Sequence, residues 1–162
     1  MCIRDRFNTI PIYYPEKIHF IENSYVCTIN NTAYIMTNQD ISTGGHTNYT
    51  QSIYIFTPTT NHFKKINFKE ENAIYSTIFS LQEKIYVGLG NNTISGSKIY
   101  HNTFHVYDPK TKIWTKCKNE FPEKRKVTMI DSHTKTFTIN NKVYLLCEDK
   151  NGKILFYEAS IR

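Results

Sequence analysis

Long apolar runs are missing from this chain of 162 residues, since none approaches the roughly 18–20 residues that a membrane-spanning helix requires. Glycine is scarce as well, with six residues, whereas 12 Tyr, 10 Phe and many Thr, Ile and Asn favour strands and turns over helices. The four cysteines form no CxxC pair and no Cys/His spacing typical of zinc. The sequence therefore predicts no transmembrane segment, no metal site and no need for an oxidising compartment, which favours the cytoplasm.

Catalytic motifs are also absent: there is no HExxH spacing, no nucleophile elbow and no glycine-rich phosphate loop. His101 and His105 can share one strand face, but at about 3.3 Å per residue they stand roughly 13 Å apart, too far to chelate one ion. No pair of carboxylates can be placed together. We therefore expect no catalytic residues and no cofactor, which favours a protein that is not an enzyme.

The net charge of +6 is concentrated in one stretch that contains Lys110, Lys112, Lys116, Lys118, Lys124, Arg125 and Lys126. Such a cluster can meet phosphate groups. Lysines on an edge strand have a second use, because they discourage pairing with other strands. Glu120 and Glu123 also dilute the cluster. The edge-strand interpretation is favoured, and nucleic acid is not an expected partner.

The first six residues, Met1-Cys2-Ile3-Arg4-Asp5-Arg6, are charged and no apolar stretch follows them, so they do not form a signal peptide. They look like a translated adapter or linker, and we set residues 1–6 aside in reasoning about the fold. On this interpretation the natural beginning of the protein is missing.

Sequence landmarks return about every fifty residues, which predicts a repeat architecture. Phe56, followed by Pro, Thr and a second aromatic residue, is echoed from Tyr107, at 107 − 56 = 51. The hairpin-like segment at 28–34 is matched at 138–144, at 144 − 34 = 110, with 80–86 between them at 86 − 34 = 52.

Within each unit the apolar pattern has period two, which indicates strands. Polar pairs at residues 30–31, 82–83 and 140–141 predict tight hairpins between the first and second strands. Pro58 and Pro109 mark turns between the third and fourth strands. The predicted strands cover 25–29, 32–36, 52–57 and 62–67, then 75–81, 84–87, 103–108 and 113–118, then 135–139, 142–146 and 153–158.

These units predict an all-β fold, a partial β-propeller of about three four-stranded antiparallel blades of about 50 residues each. The propeller region covers residues 7–162, with blades at about 21–68, 73–119 and 127–162, the last incomplete. A β-sandwich is the competing class, but sandwich strands give no fifty-residue echo.

The middle unit resembles the Kelch repeat, which carries a glycine pair after its second strand, an aromatic–Asp–Pro turn, a Trp and a closing Met-Pro-x-x-Arg. The resemblance is carried by residues 85–90, Tyr107-Asp108-Pro109, Trp114 and residues 121–125. Leu89 separates the two glycines, and the flanking units lack them, with Met36 and Leu146 at the start of the corresponding segments. The resemblance implies a galactose oxidase-like, Kelch-type propeller.

Closure of a propeller takes four to eight blades, so three cannot complete a ring. We therefore expect a fragment whose remaining blades belong to a longer parent chain, and self-association is the second explanation. By itself the chain should aggregate or bind a hydrophobic dye strongly, because terminal units of an open array expose apolar surface.

Function is expected in the long polar connections between the second and third strands, at residues 37–50 and 91–101. The Kelch resemblance implies that this face receives a segment of a partner protein, so that the chain belongs to an adaptor or scaffold. The alternative it implies is an enzyme acting on sugars, of the sugar oxidase or sialic-acid mutarotase type. The predicted partner-binding residues are Asn38, Gln39, Asp40, His46, Asn48, Tyr49, Asn92, Ser95, Lys98, Tyr100, Lys124 and Arg125.

Overall fold

The computed structural model describes residues 24–40, 49–68, 77–94, 97–118, 134–148 and 153–159. These residues form 13 β-strands and no helix, which confirms the predicted all-β class. No helix long and apolar enough to cross a membrane is present in this described part. Eleven of the strands form three successive antiparallel sheets, the arrangement of a partial, propeller-like array, and the other two form a separate hairpin.

The first sheet is a meander of four strands in the order in which the chain makes them: β1 (Tyr25–Ile29), β2 (Thr32–Asp40), β3 (Tyr49–Thr57) and β4 (His62–Ile66). β2 and β3 have nine residues each, whereas β1 and β4 have five. β2 and β3 therefore continue beyond the sheet as a two-stranded ribbon, from the pair Thr37 and Ser52 to the pair Asp40 and Tyr49. We call these pairs ribbon 1.

The second sheet repeats the plan with an insertion. Its region contains β5 (Thr77–Leu81), β6 (Lys84–Gly88), β7 (Asn91–Ile94), β8 (Ser97–Tyr100), β9 (Phe104–Asp108) and β10 (Ile113–Lys116). The sheet itself has the order β10-β9-β6-β5, and β7 pairs only with β8 as a separate hairpin among the described strands. We call this hairpin ribbon 2. It occupies the connection from β6 to β9, which corresponds to the connection from β2 to β3 in the first sheet.

The third sheet has three described strands in the order β11 (Lys135–Ile139), β12 (Lys142–Glu148) and β13 (Ile154–Ala159). Its first hairpin has the same register as the other two. Consequently Cys27, Phe79 and Phe137 occupy one equivalent position, and each lies directly opposite a tyrosine: Tyr34, Tyr86 and Tyr144. The repeat expected from the spacing is therefore present residue by residue in the strand pairing.

The three hairpin turns have the geometry that two-residue antiparallel connections favour. Both residues of each turn have positive φ: 45° and 61° at Asn30-Asn31, 49° and 57° at Gln82-Glu83, and 50° and 62° at Asn140-Asn141. This is the type I′ turn, whose twist matches that of the flanking strands. Asparagine tolerates the left-handed region better than most residues, so the Asn-Asn pairs form the turn at low cost.

The aromatic–Asp–Pro motif forms the turn between β9 and β10. The Asp108 carboxylate accepts a hydrogen bond from the backbone N–H of Lys110 at 2.8 Å and from that of Thr111 at 3.4 Å. The turn closes where the Lys112 N–H donates to the Asp108 carbonyl at 2.7 Å. Beyond it, the Trp114 ring lies 5.0 Å from Tyr107 and 4.6 Å from Phe68. The motif therefore reverses the chain and places an aromatic ring against both its own sheet and the preceding unit.

Two hydrophobic clusters join the sheets face to face. Met36 and Ile53 of the first sheet pack with Ile85, Val87 and Tyr107 of the second. On the other face of the second sheet, a second cluster packs against the third sheet. Its members are Phe79, Leu81, Tyr86, Leu89, Val143 and Leu145. The second sheet is thus covered on both faces.

Hydroxyl groups add polar contacts between the first strands of the second and third sheets. Thr136 donates to the Ile78 carbonyl at 3.1 Å, and Thr138 donates to the Ser80 carbonyl at 2.9 Å. Because the single proton of Thr136 is used in this way, Thr77 is the donor in the 3.0 Å bond between the two hydroxyls. These bonds satisfy strand carbonyls that β5, as the first strand of its sheet, would otherwise leave unpaired.

Candidate binding surfaces at the two ends of the sheets

The array has two different ends. All three type I′ turns lie at one of them, the turn end, because residues of all three turns line a single cleft. The turns that follow β3 and β9 belong to this end as well, since an antiparallel meander reverses direction at each strand. Ribbons 1 and 2 extend from the opposite end, the ribbon end.

The turn end carries a cleft of about 280 Å³. It lies where the first hairpins of the three sheets converge. Most of the side chains around it are polar: the lining residues are Thr28, Ile29, Asn30, Ser80, Leu81, Gln82, Glu83, Thr138 and Asn141.

Three hydroxyl-bearing residues in this cleft are related by the repeat. Thr28, Ser80 and Thr138 each stand two positions before the turn, and their register in the hairpins is the same. Thr138 already donates its proton to the Ser80 carbonyl. The cleft wall is therefore a row of neutral donors and acceptors, suited to hydrogen bonding with a polar group rather than to nucleophilic chemistry.

Glu83 is the one carboxylate among the residues that line the cleft. It accepts a hydrogen bond from Lys110 Nζ at 2.5 Å. The Lys110 hydrogen bond, then the Lys110 charge and then a hydrogen bond from the Asn30 side chain lower the pKa of Glu83. Because this carboxylate is stabilised in its charged form, it is poorly suited to donate a proton near neutral pH.

Sequence reasoning missed this cleft, because it assigned recognition to long connections and the turn end has only short ones. A signal was present: aligning the three polar turn pairs places Thr28, Ser80 and Thr138 in register. That alignment could not show that the three positions meet, since they come from different sheets.

At the ribbon end the structure corrects the predicted loops. The segments expected to be loops at residues 37–50 and 91–101 are paired strands over most of their described length. Asn38, Gln39 and Asp40 lie in β2, Tyr49 lies in β3, Asn92 in β7, and Lys98 and Tyr100 in β8. The loop interpretation was wrong for these seven residues because polar, Thr- and Asn-rich strands can pair locally without the apolar alternation that marks a half-buried strand.

The pairing at this end places several predicted residues opposite each other or their neighbours. Asp40 is paired with Tyr49, and Asn38 with Gln51, in ribbon 1. Asn92 is paired with Ile99 in ribbon 2. Five further predicted residues lie outside the described residues: His46, Asn48, Ser95, Lys124 and Arg125. Binding of a partner by these twelve residues stays a prediction.

Within the described ranges, metal-ligating side chains do not form clusters. No three His, Cys, Asp or Glu residues lie close enough there to share an ion. The basic stretch is partly occupied in local contacts, because Lys110 is paired with Glu83. Lys112, Lys116 and Lys118 are exposed.

The Cys27 thiol lies at the first interface, where it packs against the cluster around Met36 and Ile53. Burial raises its pKa from 9.0 to about 12. Near pH 9 the thiol ionises in the unfolded chain but not in the folded protein. Its ionisation therefore leaves the free energy of unfolding unchanged below pH 9 and lowers it as the pH rises from 9 towards 12.

We therefore expect Cys27 to react slowly with a thiol reagent at pH 8 in the folded protein and fast in denaturant, because only the thiolate is nucleophilic. The measurement is the rate of reaction with Ellman's reagent in a variant with serine at Cys2, Cys117 and Cys147, so that Cys27 is the single thiol. Equal rates for the native and denatured forms would contradict the expected burial.

Comparison with known proteins assigns no function to this chain. The chain matches no family model. None of the curated proteins matches it in sequence.

Proposed function

We propose that this chain is a non-enzymatic binding module that holds a segment of another protein at its ribbon end. The observation that carries the proposal is the pair of ribbons, each with four cross-strand pairs, that extend from equivalent connections of two adjacent sheets. A rigid β-scaffold with projecting connections at one end is a common design for recognition. The Kelch resemblance of the middle unit supports an adaptor or scaffold role in the cytoplasm.

The dimensions of the ribbons support a contact with a peptide segment. At about 3.3 Å per residue, four pairs project roughly 13 Å beyond the sheet. The base of ribbon 1 is anchored, because Thr37, Gln51 and Ser52 are buried. A two-stranded ribbon of this length has little stability of its own, so a bound segment that adds backbone hydrogen bonds along its edge would order it further.

The alternative, an enzyme acting on sugars, finds less support in the described residues. The polar cleft at the turn end has the size and hydrogen-bonding groups for a small polar ligand. Its single lining carboxylate is ion-paired with Lys110 and has a lowered pKa. The cleft therefore offers binding groups without an evident acid or base.

The test shortens both ribbons without disturbing the sheets. Residues 38–51 are replaced by Asn-Gly, which joins the hydrogen-bonded pair Thr37 and Ser52 by a type I′ turn. Residues 93–98 are likewise replaced by Asn-Gly, which joins the hydrogen-bonded pair Asn92 and Ile99. Peptides selected from a displayed random library against the whole chain should bind this variant at least tenfold more weakly.

The matched control uses the same turn chemistry at the opposite end. Replacing Gln82-Glu83 by Asn-Gly shortens one cleft side chain, removes the Glu83 carboxylate and keeps the hairpin. This control should bind the selected peptides like the wild type. If the control loses binding while the short-ribbon variant keeps it, the ribbon end is not the recognition surface and the cleft takes its place.

A further inference from the structure

The third sheet carries an apolar face that no described residue covers. Phe137, Ile139, Ile154 and Phe156 are all exposed on it, Phe156 to 58%. Three rings are stacked across its strands: Tyr144 lies 5.3 Å from Phe137 and 5.5 Å from Phe156. We call this surface the outer face. An exposed aromatic surface of this kind marks an interaction site more often than a random feature of the surface.

The same three rings occur, covered, in the second sheet. Phe79, Tyr86 and Phe104 hold the register positions of Phe137, Tyr144 and Phe156. Phe79 stacks on Tyr86 at 5.0 Å as Phe137 stacks on Tyr144, whereas the Phe104 ring meets Phe79 edge-on at 5.4 Å. These three rings are covered by the face of the third sheet that packs against the second sheet, which we call the inner face. The contact between the second and third sheets therefore shows which kind of surface packs against this triad of aromatic rings.

The covering surface has a defined chemistry. Val143 and Leu145 of β12 are buried against the triad, and Tyr157 of β13 packs beside them. At the edge, Thr136 and Thr138 of β11 donate hydrogen bonds to carbonyls of β5. The partner of such a triad is thus a β-sheet with two aliphatic residues on its second strand and a hydrogen-bonding residue on its first.

The first sheet presents this pattern on the face that points away from the second sheet. Ala33 and Ile35 hold the register positions of Val143 and Leu145, and Thr28 holds that of Thr138. Val26, at the position of Thr136, is 62% exposed, and Ala33 and Ile35 are half-buried. Tyr54, the equivalent of Tyr157, is already buried, so the available surface is the half formed by β1 and β2.

We propose that the outer face of the third sheet binds the β1–β2 half of the first sheet in a second copy of this chain. Two copies joined head to tail would make two identical contacts and arrange six sheets around one axis. Six lies within the range of four to eight units in which propeller rings close. Closure limits assembly to a dimer, whereas a head-to-tail contact that did not close would give open-ended fibres.

The first and third sheets of this one sequence carry complementary surfaces. The contact that joins the second and third sheets is repeated between the third sheet of one copy and the first sheet of another, with aliphatic residues against the same aromatic triad. The Thr28 hydroxyl would donate to the Thr138 carbonyl across the new interface, as Thr138 donates to that of Ser80. Both terminal sheets would thereby lose their exposed apolar residues.

The first measurement is sedimentation velocity on the 162-residue chain over a range of concentrations. A closed dimer gives a single species of twice the chain mass that does not grow further with concentration. A monomer at every concentration would overturn the proposal and would indicate that the outer face is left for a sheet of a longer chain. Continuous growth into larger species would overturn the closed ring.

Substitutions on the two surfaces test the head-to-tail geometry. Phe156→Lys alters only the outer face, and Val26→Lys alters only the first sheet. Each variant should raise the dissociation constant at least about tenfold, because it places a charge in an apolar contact. Ile113→Lys is the matched control, because Ile113 is 57% exposed on β10 outside both surfaces. It should dimerise like the wild type, and circular dichroism checks that all three variants keep their strands.

Mixing the two variants gives the sharpest result. A pair of one Phe156→Lys chain and one Val26→Lys chain has one interface intact and both substitutions in the other. The mixture should therefore associate more tightly than either variant by itself. If Val26→Lys dimerises normally, or the mixture shows no gain, the contact is not head to tail and the proposal is wrong.

Discussion

Alanine in place of Ile85 should lower the free energy of unfolding by about 2–5 kcal/mol, the usual cost of truncating a fully buried isoleucine. Ile85 is 0% exposed and lies in the cluster that joins the first and second sheets. Its removal leaves a cavity between two sheets whose backbones are fixed by ladder hydrogen bonds and cannot collapse into the space. The loss should therefore lie in the upper part of that range.

The matched control is Ile113→Ala, because Ile113 is the same residue type on the second sheet but is 57% exposed. It should change the free energy of unfolding by no more than about 0.5 kcal/mol, apart from a small change in strand propensity. The measurement is urea unfolding followed by circular dichroism, with the midpoint and slope compared between the two variants. Similar losses at the two positions would show that the first and second sheets do not form a tightly packed interface.

Gly88→Ala is the second substitution from which we expect a large effect. A Cβ atom at this position would lie 2.3 Å from the Thr103 carbonyl oxygen and 2.9 Å from the Phe104 Cα. Both atoms belong to the backbone of the neighbouring chain segment, so no side-chain rotation relieves the clash. We expect a loss of about 1–3 kcal/mol or more, as is usual for overpacking a filled interior.

Comparison of the three repeats shows that the clash expected for Gly88→Ala is specific to the second sheet. Met36 and Leu146 stand at the register position of Gly88 in the other two sheets, so the position itself accepts a side chain. Leu146 has a Phe opposite it as Gly88 does, so the difference at Gly88 is the close approach of the neighbouring backbone, whose Thr103 oxygen would be 2.3 Å from the added Cβ. Thr115→Ala, at an exposed site on β10, serves as the control. Wild-type stability in Gly88→Ala would mean that β6 and Phe104 are less closely packed than the structure shows.

The stability predictions and the dimer proposal concern different surfaces and can fail independently. Ile85 and Gly88 lie inside one chain, between sheets whose contacts are present in every copy. Phe156 and Val26 lie on exposed faces of the terminal sheets. A chain that unfolds cooperatively and is destabilised by Ile85→Ala can therefore still prove monomeric. That result would support the fold and contradict the proposed dimer.

Much of the fold was predictable because its signals are local. The polar pairs at 30–31, 82–83 and 140–141 specify type I′ turns, since Asn tolerates positive φ and a two-residue connection requires it. The period-two pattern on each side then predicts strands whose register follows from the turn. Asp108 and Pro109 form the turn before β10 through contacts within a few residues.

The ribbons were not predicted, and the reason is physical. Residues 37–40 and 49–52 are paired as strands, and the backbone hydrogen bonds of such pairing leave no mark on the order of side chains. Because sequence patterns report burial, a paired but polar strand looks like a loop. The seven predicted binding residues that the structure describes were thus assigned to loops but lie in strands.

What the sequence by itself determined is the repeating unit: its length, the strands of its sheet, its turns and the class of the fold. The tertiary structure decided which faces are covered and which positions meet. Phe79 and Phe137 occupy the same place in their units, yet the first is buried and the second is exposed, because among the described sheets only Phe79 has another sheet against it. Thr28, Ser80 and Thr138 form one cleft only after the sheets pack. Burial and proximity depend on neighbours more than fifty residues away along the chain, and no local pattern records them.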